Sequence, residues 1–428
     1  MSFTLTCFRD LCATYPTWAE LSAYVLSEGG GKLRIIEPPN SQLAIIRYTK
    51  GVSNFDLEHV RAFRSVVWNK ETNRPVSVAP IKAESGDPAA DVSLLVSDFV
   101  DGTMINAWKS AAGQSVAGQS GEGNSDPQIA TRTSLYGNTA FYSTRTFAEL
   151  FNDALKQVGG TRNFLRSVLA DGEFVNFVLQ HREHKTVAPI PYNRVFVTGF
   201  GRVSEDGTVT IAAGTAAWPQ RLLAYAPQVY DENASFSNSK IAHTMLNHNA
   251  FQGYTWQGLV FQERDGSRRW RLRNPAYVLV RSLRGSEANP MARFLRLRAS
   301  GNTKQYLSYF REESNQMWAF EQTLRQRTQE LYDAYTAMNK LKTKSMRDLP
   351  FCLRPHVYAL HGKYLASIPE SASAGEQQGP TPVRKETVID YVNSLAQEDQ
   401  LKLLEGDQVK VRGIWLNPVT DVVQPAAV

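Results

Sequence analysis

The alternation of apolar and polar positions changes character along this chain, and each change predicts a different kind of element. Residues 1–40 read as a lead: a short helix over 18–26, a break at Gly29-Gly30-Gly31 and a stop at Pro38-Pro39. From Leu43 onward short apolar runs separated by polar turns predict strands over 43–48, 65–68, 75–79 and 94–99. Asp101-Gly102 follows the last of these before apolar residues resume at Met104-Ile105. An Asp-Gly pair in that setting is also an ordinary two-residue hairpin turn.

The stretch 110–128 is rich in Gly, Ser and Gln and lacks large apolar residues, which predicts a flexible surface insertion with structure resuming at Thr131. Phe147, Leu150, Phe151 and Leu155 recur at helical spacing ahead of Gly159-Gly160, predicting a helix over 146–158. Strands are expected over 174–179, 194–197 and 208–212, then a hairpin of 259–263 with 269–273 around Asp265-Gly266. Beyond Pro290 the pattern turns helical. Met317, Phe320, Leu324, Leu331, Tyr335 and Met338 form one apolar stripe, read as core. A Pro/Ser/Gly/Gln-rich linker over 369–384 precedes a small helical tail module over 385–428.

Composition adds limits rather than a function. The 428 residues suffice for two or three domains, and 42% hydrophobic with 21% charged residues is ordinary for a globular protein. No apolar run reaches membrane-spanning length, and residues 1–15 lack the pattern of a signal peptide, so no membrane partner is expected. Cys7, Cys12 and Cys352 fit neither a disulfide framework nor a zinc site. The pairs His181/His184, His243/His248 and His356/His361 match no zinc spacing, and His243 and His248 read as loop residues. Gly29-Gly30-Gly31-Lys32 lacks the spacing of a phosphate loop, and no Gly-x-Ser-x-Gly elbow occurs.

The net charge of +6 matters through its distribution. Arg264, Arg268, Arg269, Arg271, Arg273, Arg281, Arg284, Arg293, Arg296 and Arg298 crowd one region against Asp265 and Glu287, with Trp270, Tyr277 and Phe294 interleaved. Such a surface suits phosphate backbones and exposed bases; the alternative is a solvated face whose arginines pair with acids elsewhere.

Several segments, in order, carry a resemblance. They are Phe63-Arg64-Ser65-Val66-Val67-Trp68, Val78-Ala79-Pro80-Ile81-Lys82, Ser97-Asp98-Phe99-Val100-Asp101-Gly102 and Thr131-Arg132-Thr133-Ser134. Phe177-Val178-Leu179-Gln180, Trp256-Gln257-Gly258-Leu259-Val260 and Arg271-Leu272-Arg273 follow. Together they resemble the nucleotidyltransferase domain of bacteriophage-type, ATP-dependent RNA ligases. The resemblance implies that Phe99 stands where the nucleophilic lysine would be, Val178 and Gln257 where two glutamates would be, and Arg271 and Arg273 where paired lysines would be. Arg64, Lys82, Asp101, Gly102, Arg271 and Arg273 would line a nucleotide- or phosphate-binding cleft. The C-terminal part, with 66–68 and 101–104, resembles uncharacterised ligase-like proteins of large DNA viruses.

These resemblances imply an α+β fold. A ligase-type domain of two packed antiparallel sheets would occupy 41–285 and an all-helical domain 290–368. The expected function is that of a catalytically inactive viral RNA-ligase-like protein binding RNA or nucleic-acid ends. One alternative is an active ligase with a relocated nucleophile, Lys82 or Lys109. Another is a structural or virion protein with protein partners. No metal site is expected; ATP and Mg are the cofactors if nucleotide binding persists. The expected location is cytoplasmic or virion-associated.

Overall fold

The strand-like runs do form strands. The structure, a computed structural model, describes residues 2–88, 94–110, 126–141, 143–184, 186–230, 239–368 and 380–406. Residues 111–125 of the expected insertion, 369–379 of the expected linker and 407–428 of the expected tail lie outside the described residues. The fold is α+β with antiparallel sheets and a helical C-terminal region. The chain divides into two compact units, Met1–Arg281 and Ser282–Val428.

In the first unit the strands are β1 (Ser2–Leu5), β2 (Arg34–Ile36), β3 (Leu43–Arg47), β4 (Val66–Asn69), β5 (Arg74–Val78), β6 (Glu84–Ser85), β7 (Leu94–Asp98) and β8 (Thr103–Trp108). They continue with β9 (Gln128–Thr131), β10 (Glu173–Gln180), β11 (Arg194–Val203), β12 (Val209–Ala212), β13 (Val229–Tyr230), β14 (Gly258–Glu263) and β15 (Arg269–Arg273). The helices are α1 (Cys7–Thr14), α2 (Trp18–Leu26), α3 (Phe147–Ala154), α4 (Gly160–Val168), α5 (Gln220–Leu223), α6 (Ser239–Asn249) and α7 (Pro275–Arg284), the last crossing the boundary between the units.

Among the described residues these strands make a six-stranded sheet (β1-β12-β11-β10-β8-β9), a five-stranded sheet (β13-β7-β14-β15-β6) and a four-stranded sheet (β2-β3-β4-β5). All pairings are antiparallel except β15 with β6. Alternation decides what each face covers. Val175, Phe177 and Leu179 of β10 join Ile105 and Ala107 of β8 in a core closed by Phe151 and Leu165 of α3 and α4. Phe174 and Trp108, pointing the other way, share a second core with Val67 and Trp68 of the four-stranded sheet and Phe8 and Leu21 of α1 and α2. A third core sets Val96, Phe261, Trp270 and Leu272 of the five-stranded sheet against Leu246 of α6.

Several elements differ from the sequence reading for local reasons. Residues 1–40 are part of the first unit rather than a separate lead, because β1 pairs along β12 at the edge of the largest sheet. The described residues resume at Asp126, which is paired with Arg162 and Arg166, and β9 begins at Gln128. β11 runs past Val197 to Val203. Two glycines hide its alternation, and a Cβ on Gly201 would come 2.6 Å from the Phe174 ring. His243 and His248 lie in helix α6, not in a loop.

The second unit contains α8 (Pro290–Ala299), α9 (Thr303–Tyr309), α10 (Ser314–Tyr335), α11 (Arg354–Ala366), α12 (Lys385–Ser394) and α13 (Gln397–Glu405). Met317, Phe320, Leu324, Leu331 and Tyr335 are buried along α10, while Met338 falls in a terminal π turn and is half-buried. The described part of the expected tail module belongs to this unit: the Gln397 side chain donates to the Ala292 carbonyl at 2.8 Å, and the Tyr391 hydroxyl meets His356 Nδ1 at 2.9 Å. At the centre, Arg293 is 1% exposed and lies 3.1 Å from the Glu313 carboxylate, which also accepts the Tyr306 hydroxyl at 2.7 Å. Removing one partner of a buried ion pair strands the other charge. Glu313→Ala is therefore expected to destabilise this unit by roughly 3–5 kcal/mol, measured by denaturant unfolding with helix content as the readout.

Candidate anion-binding cleft

Asp101-Gly102 is not a hairpin turn. β7 pairs with β13 and β14 in the five-stranded sheet, whereas β8 pairs with β9 and β10 in the six-stranded sheet, so residues 99–102 cross between sheets. Gly102 is required there: its φ is +153°, and a Cβ would lie 2.4 Å from the Leu179 carbonyl oxygen and 2.7 Å from a Val178 methyl. The Asp101 side chain accepts the Val187 backbone N–H at 3.0 Å and is bonded to the Tyr277 hydroxyl, and Gln180 donates to its backbone carbonyl at 2.8 Å. These contacts pin the crossover.

Strand register then sorts the neighbouring side chains. Asp98, Leu259 and Leu272 stand in one row, on the face that packs against α6. There the Asp98 carboxylate accepts Trp256 Nε1–H at 2.8 Å and the Tyr230 hydroxyl at 2.9 Å; burial raises its pKa against those two bonds. Ser97, Val260 and Arg271 form the next row on the opposite face. Phe99 continues that face: its N–H donates to the Gly258 carbonyl at 2.8 Å, Gly258 is opposite Arg273, and the Arg273 guanidinium lies 5.5 Å from the centre of the Phe99 ring.

Alternation on β15 puts Arg269, Arg271 and Arg273 on this one face, with Trp270 and Leu272 in the core behind them. Arg64 and Arg132 approach the same face, together with Lys50, which the sequence reading did not single out; Arg47, also not singled out, adjoins Arg132. The Lys50 ammonium is held below its usual range by partial burial and by Arg271, Arg132, Arg273 and Arg281. Burial, then Arg132 and Arg271, does the same to Arg64; burial, then Arg64 and Arg271, does so to Arg269. Guanidiniums do not lose their proton under these conditions, so the depression registers the cost of burying these charges, with repulsion from neighbouring cations added to it. Among the described residues, no carboxylate forms an ion pair with Arg47, Lys50, Arg64, Arg132, Arg271 or Arg273. The buried Nε atoms of Arg47, Arg269, Arg271 and Arg273, and the Gln257 Oε1, have no hydrogen-bond partner among the described residues.

Not every expected site residue joins this cluster. Lys82 lies over the Phe55 ring at 4.3 Å, with burial, then Arg61, lowering its pKa. Arg268 pairs with Glu84 at 3.1 Å and covers Trp270. Arg264 sits in the turn between β14 and β15. In the second unit Arg284 and Arg293 share Glu313, Arg296 bonds Glu287 at 2.5 Å, and Arg298 approaches Glu321 at 3.4 Å. The arginines crowded in sequence therefore split: Arg271 and Arg273 on the first unit form no ion pair among the described residues, whereas Arg284, Arg293, Arg296 and Arg298 form internal ion pairs in the second. Phe99, Val178 and Gln257 come to the crossover with no carboxylate or amine among them. No group of His, Cys, Asp and Glu suited to a metal ion occurs among the described residues.

No family model matches the chain, and no curated protein does. Solved structures similar to it include Naegleria gruberi RNA ligase variants. One with ATP and Mn matches at 12% identity and a TM-score of 0.28, and one with AMP and Mn at 10% identity and 0.30. Each match covers 45% of this chain and 53% of that chain. The chain thus spans about half the length of these ligases, and a superposition this loose carries no functional argument.

Beside the crossover, His181 Nε2 meets Asp153 at 2.9 Å, and His184 packs edge-on against Phe147 with its Nδ1 3.5 Å from the Thr103 hydroxyl. Burial, then the nearby His181, lowers the His184 pKa from 6.5 to about 4. Between those values the unfolded chain binds a proton that the folded chain refuses, so stability falls as pH drops through that window and levels off below about 4. The loss attributable to this group is at most roughly 3 kcal/mol, and His184→Leu is expected to flatten the stability profile over the window in urea titrations at stepped pH.

Proposed function

We propose that this chain is a catalytically inactive RNA-ligase-like protein, of viral origin, that binds nucleic-acid phosphates in the cleft beside the 99–102 crossover. One observation carries the reading: a phenyl ring lies beneath the Arg273 guanidinium in a cluster of cations that no described carboxylate pairs with. A protein that gathers like charges gives up stability unless an anion joins them. Phosphate oxygens would pair with the guanidiniums of Arg271 and Arg273, since a guanidinium presents a fork that matches them.

Covalent chemistry has no support at this place. A phenyl ring is no nucleophile, and loss of the attacking amine removes the two-step route. Lys82 is engaged over Phe55, and Lys109 is 2.8 Å from Asp171 at the far end of β8, roughly 20 Å from the crossover at strand rise. With Val178 and Gln257 uncharged, divalent metal has no carboxylate at those two positions. A nucleotide such as ATP would be held by Arg64, Arg271 and Arg273 through its phosphates alone.

Incubation with α-labelled ATP and divalent metal is expected to leave no label on the denatured chain; a retained label would overturn the inactive assignment. RNA affinity is expected to fall steeply with salt, and Arg271→Gln with Arg273→Gln should lower the log–log slope by about 1.4, or about 0.7 per phosphate contact on a single strand. RNA binding without that dependence, or no binding together with co-purification of a protein partner, would replace this reading with the structural or virion alternative.

A further inference from the structure

The cations do not stop at the residues this reading uses. Arg34 on β2 stands directly opposite Arg47 on β3, and like charges facing across antiparallel strands destabilise a sheet. Arg34 is exposed, whereas the Arg47 Nε is buried with no partner among the described residues. Next to Arg47 comes Arg132, whose guanidinium rests over the Tyr48 ring at 4.9 Å. It donates to the Arg64 carbonyl at 3.3 Å and the Tyr48 carbonyl at 3.4 Å. Those contacts fix its position between Arg47 and Arg64 without neutralising it. Lys50, near the start of the loop that leaves β3, then faces Arg271, Arg273 and Arg281.

The result is a continuous track: Arg34, Arg47, Arg132, then Arg64 and Lys50, then Arg271, Arg273 and Arg281. It passes from the four-stranded sheet to the five-stranded one, and among the described residues no ion pair interrupts it. Successive same-face residues of a strand are about 7 Å apart, so Arg271 and Arg273 alone already span the phosphates of a mononucleotide. Arg34 and Arg47 adjoin Arg132 rather than that pair. A ligand that meets them all must carry charges at regular intervals and bend from one sheet to the next. Single-stranded polynucleotide does both, whereas a duplex is stiff on this scale.

We propose that Arg34, Arg47 and Arg132 form an elongated subsite for the phosphodiester backbone of a single-stranded polynucleotide leading into the Phe99 cleft. The inference rests on the phosphate-binding reading above and extends it to a length requirement. The test uses the full chain and labelled oligouridylates from dinucleotide to dodecanucleotide, with salt titrations of wild type and of Arg34→Gln/Arg47→Gln. The expected result is affinity that climbs with length, and a dodecanucleotide salt slope lowered by about 1.4 in the double variant while dinucleotide binding is unchanged. Arg34→Gln alone, at an exposed position, should lower the slope by about 0.7, which guards against a folding defect in the double variant.

Dinucleotide and dodecanucleotide binding equally well, or an unchanged slope in the variants, overturns the subsite and leaves the central cleft standing. Failure of every oligonucleotide to bind overturns both. Polyglutamate competing as well as oligouridylate, or a duplex binding as well as the single strand, overturns the assignment to single-stranded nucleic acid.

Discussion

Partial burial of cations that lie near one another is the constraint on which the cleft of the first unit depends. Arg269, Arg271 and Arg273 owe their places to β15, whose alternate residues Trp270 and Leu272 are sunk in the core against α6. The apolar row anchors the strand, and the strand holds the charges. Arg132 is pinned separately, by an aromatic ring and two backbone carbonyls, none of which removes its charge. Burial is what makes this costly. A guanidinium in water is screened from its neighbours, whereas the half-buried ones here interact through protein.

The crossover at residues 99–102 sets the geometry around that cluster. It lets one stretch of chain leave the five-stranded sheet and enter the six-stranded one, so that the two meet where Phe99 lies. Only a residue without a side chain passes the Leu179 carbonyl at position 102, and the Asp101 carboxylate ties the turn to the Val187 N–H and to Tyr277. Asp101 thus has a bracing role that also accounts for an acid beside so many cations. Asp98, three residues earlier, faces the opposite way and is consumed by Trp256 and Tyr230. Neither carboxylate is left to hold a metal ion.

The second unit uses arginine for the opposite purpose. Arg293 and Arg284 converge on Glu313, Arg296 on Glu287 and Arg298 on Glu321, each within a helical framework. Residue type is the same as in the cleft; what differs is whether the fold brings an acid alongside.

That contrast marks what could be read from the residues alone. Strand and helix positions were legible where periodicity was clean, as over β3, β7, β14 with β15, and the apolar stripe of α10, because core contacts demand that spacing. That Phe99, Val178 and Gln257 carry neither carboxylate nor amine was also visible in the linear order, since side-chain identity is local information. Two things were not. Whether Asp101-Gly102 closes a hairpin depends on which strands take up the hydrogen bonds on either side, and those partners lie far away in sequence. Whether an arginine is paired depends on acids brought by other elements: Glu313 reaches Arg293 from twenty residues on, while Lys50 joins Arg271 across more than two hundred. Local sequence determined the elements and the identity of each side chain; pairing between distant elements decided which charges have an acid alongside and which do not.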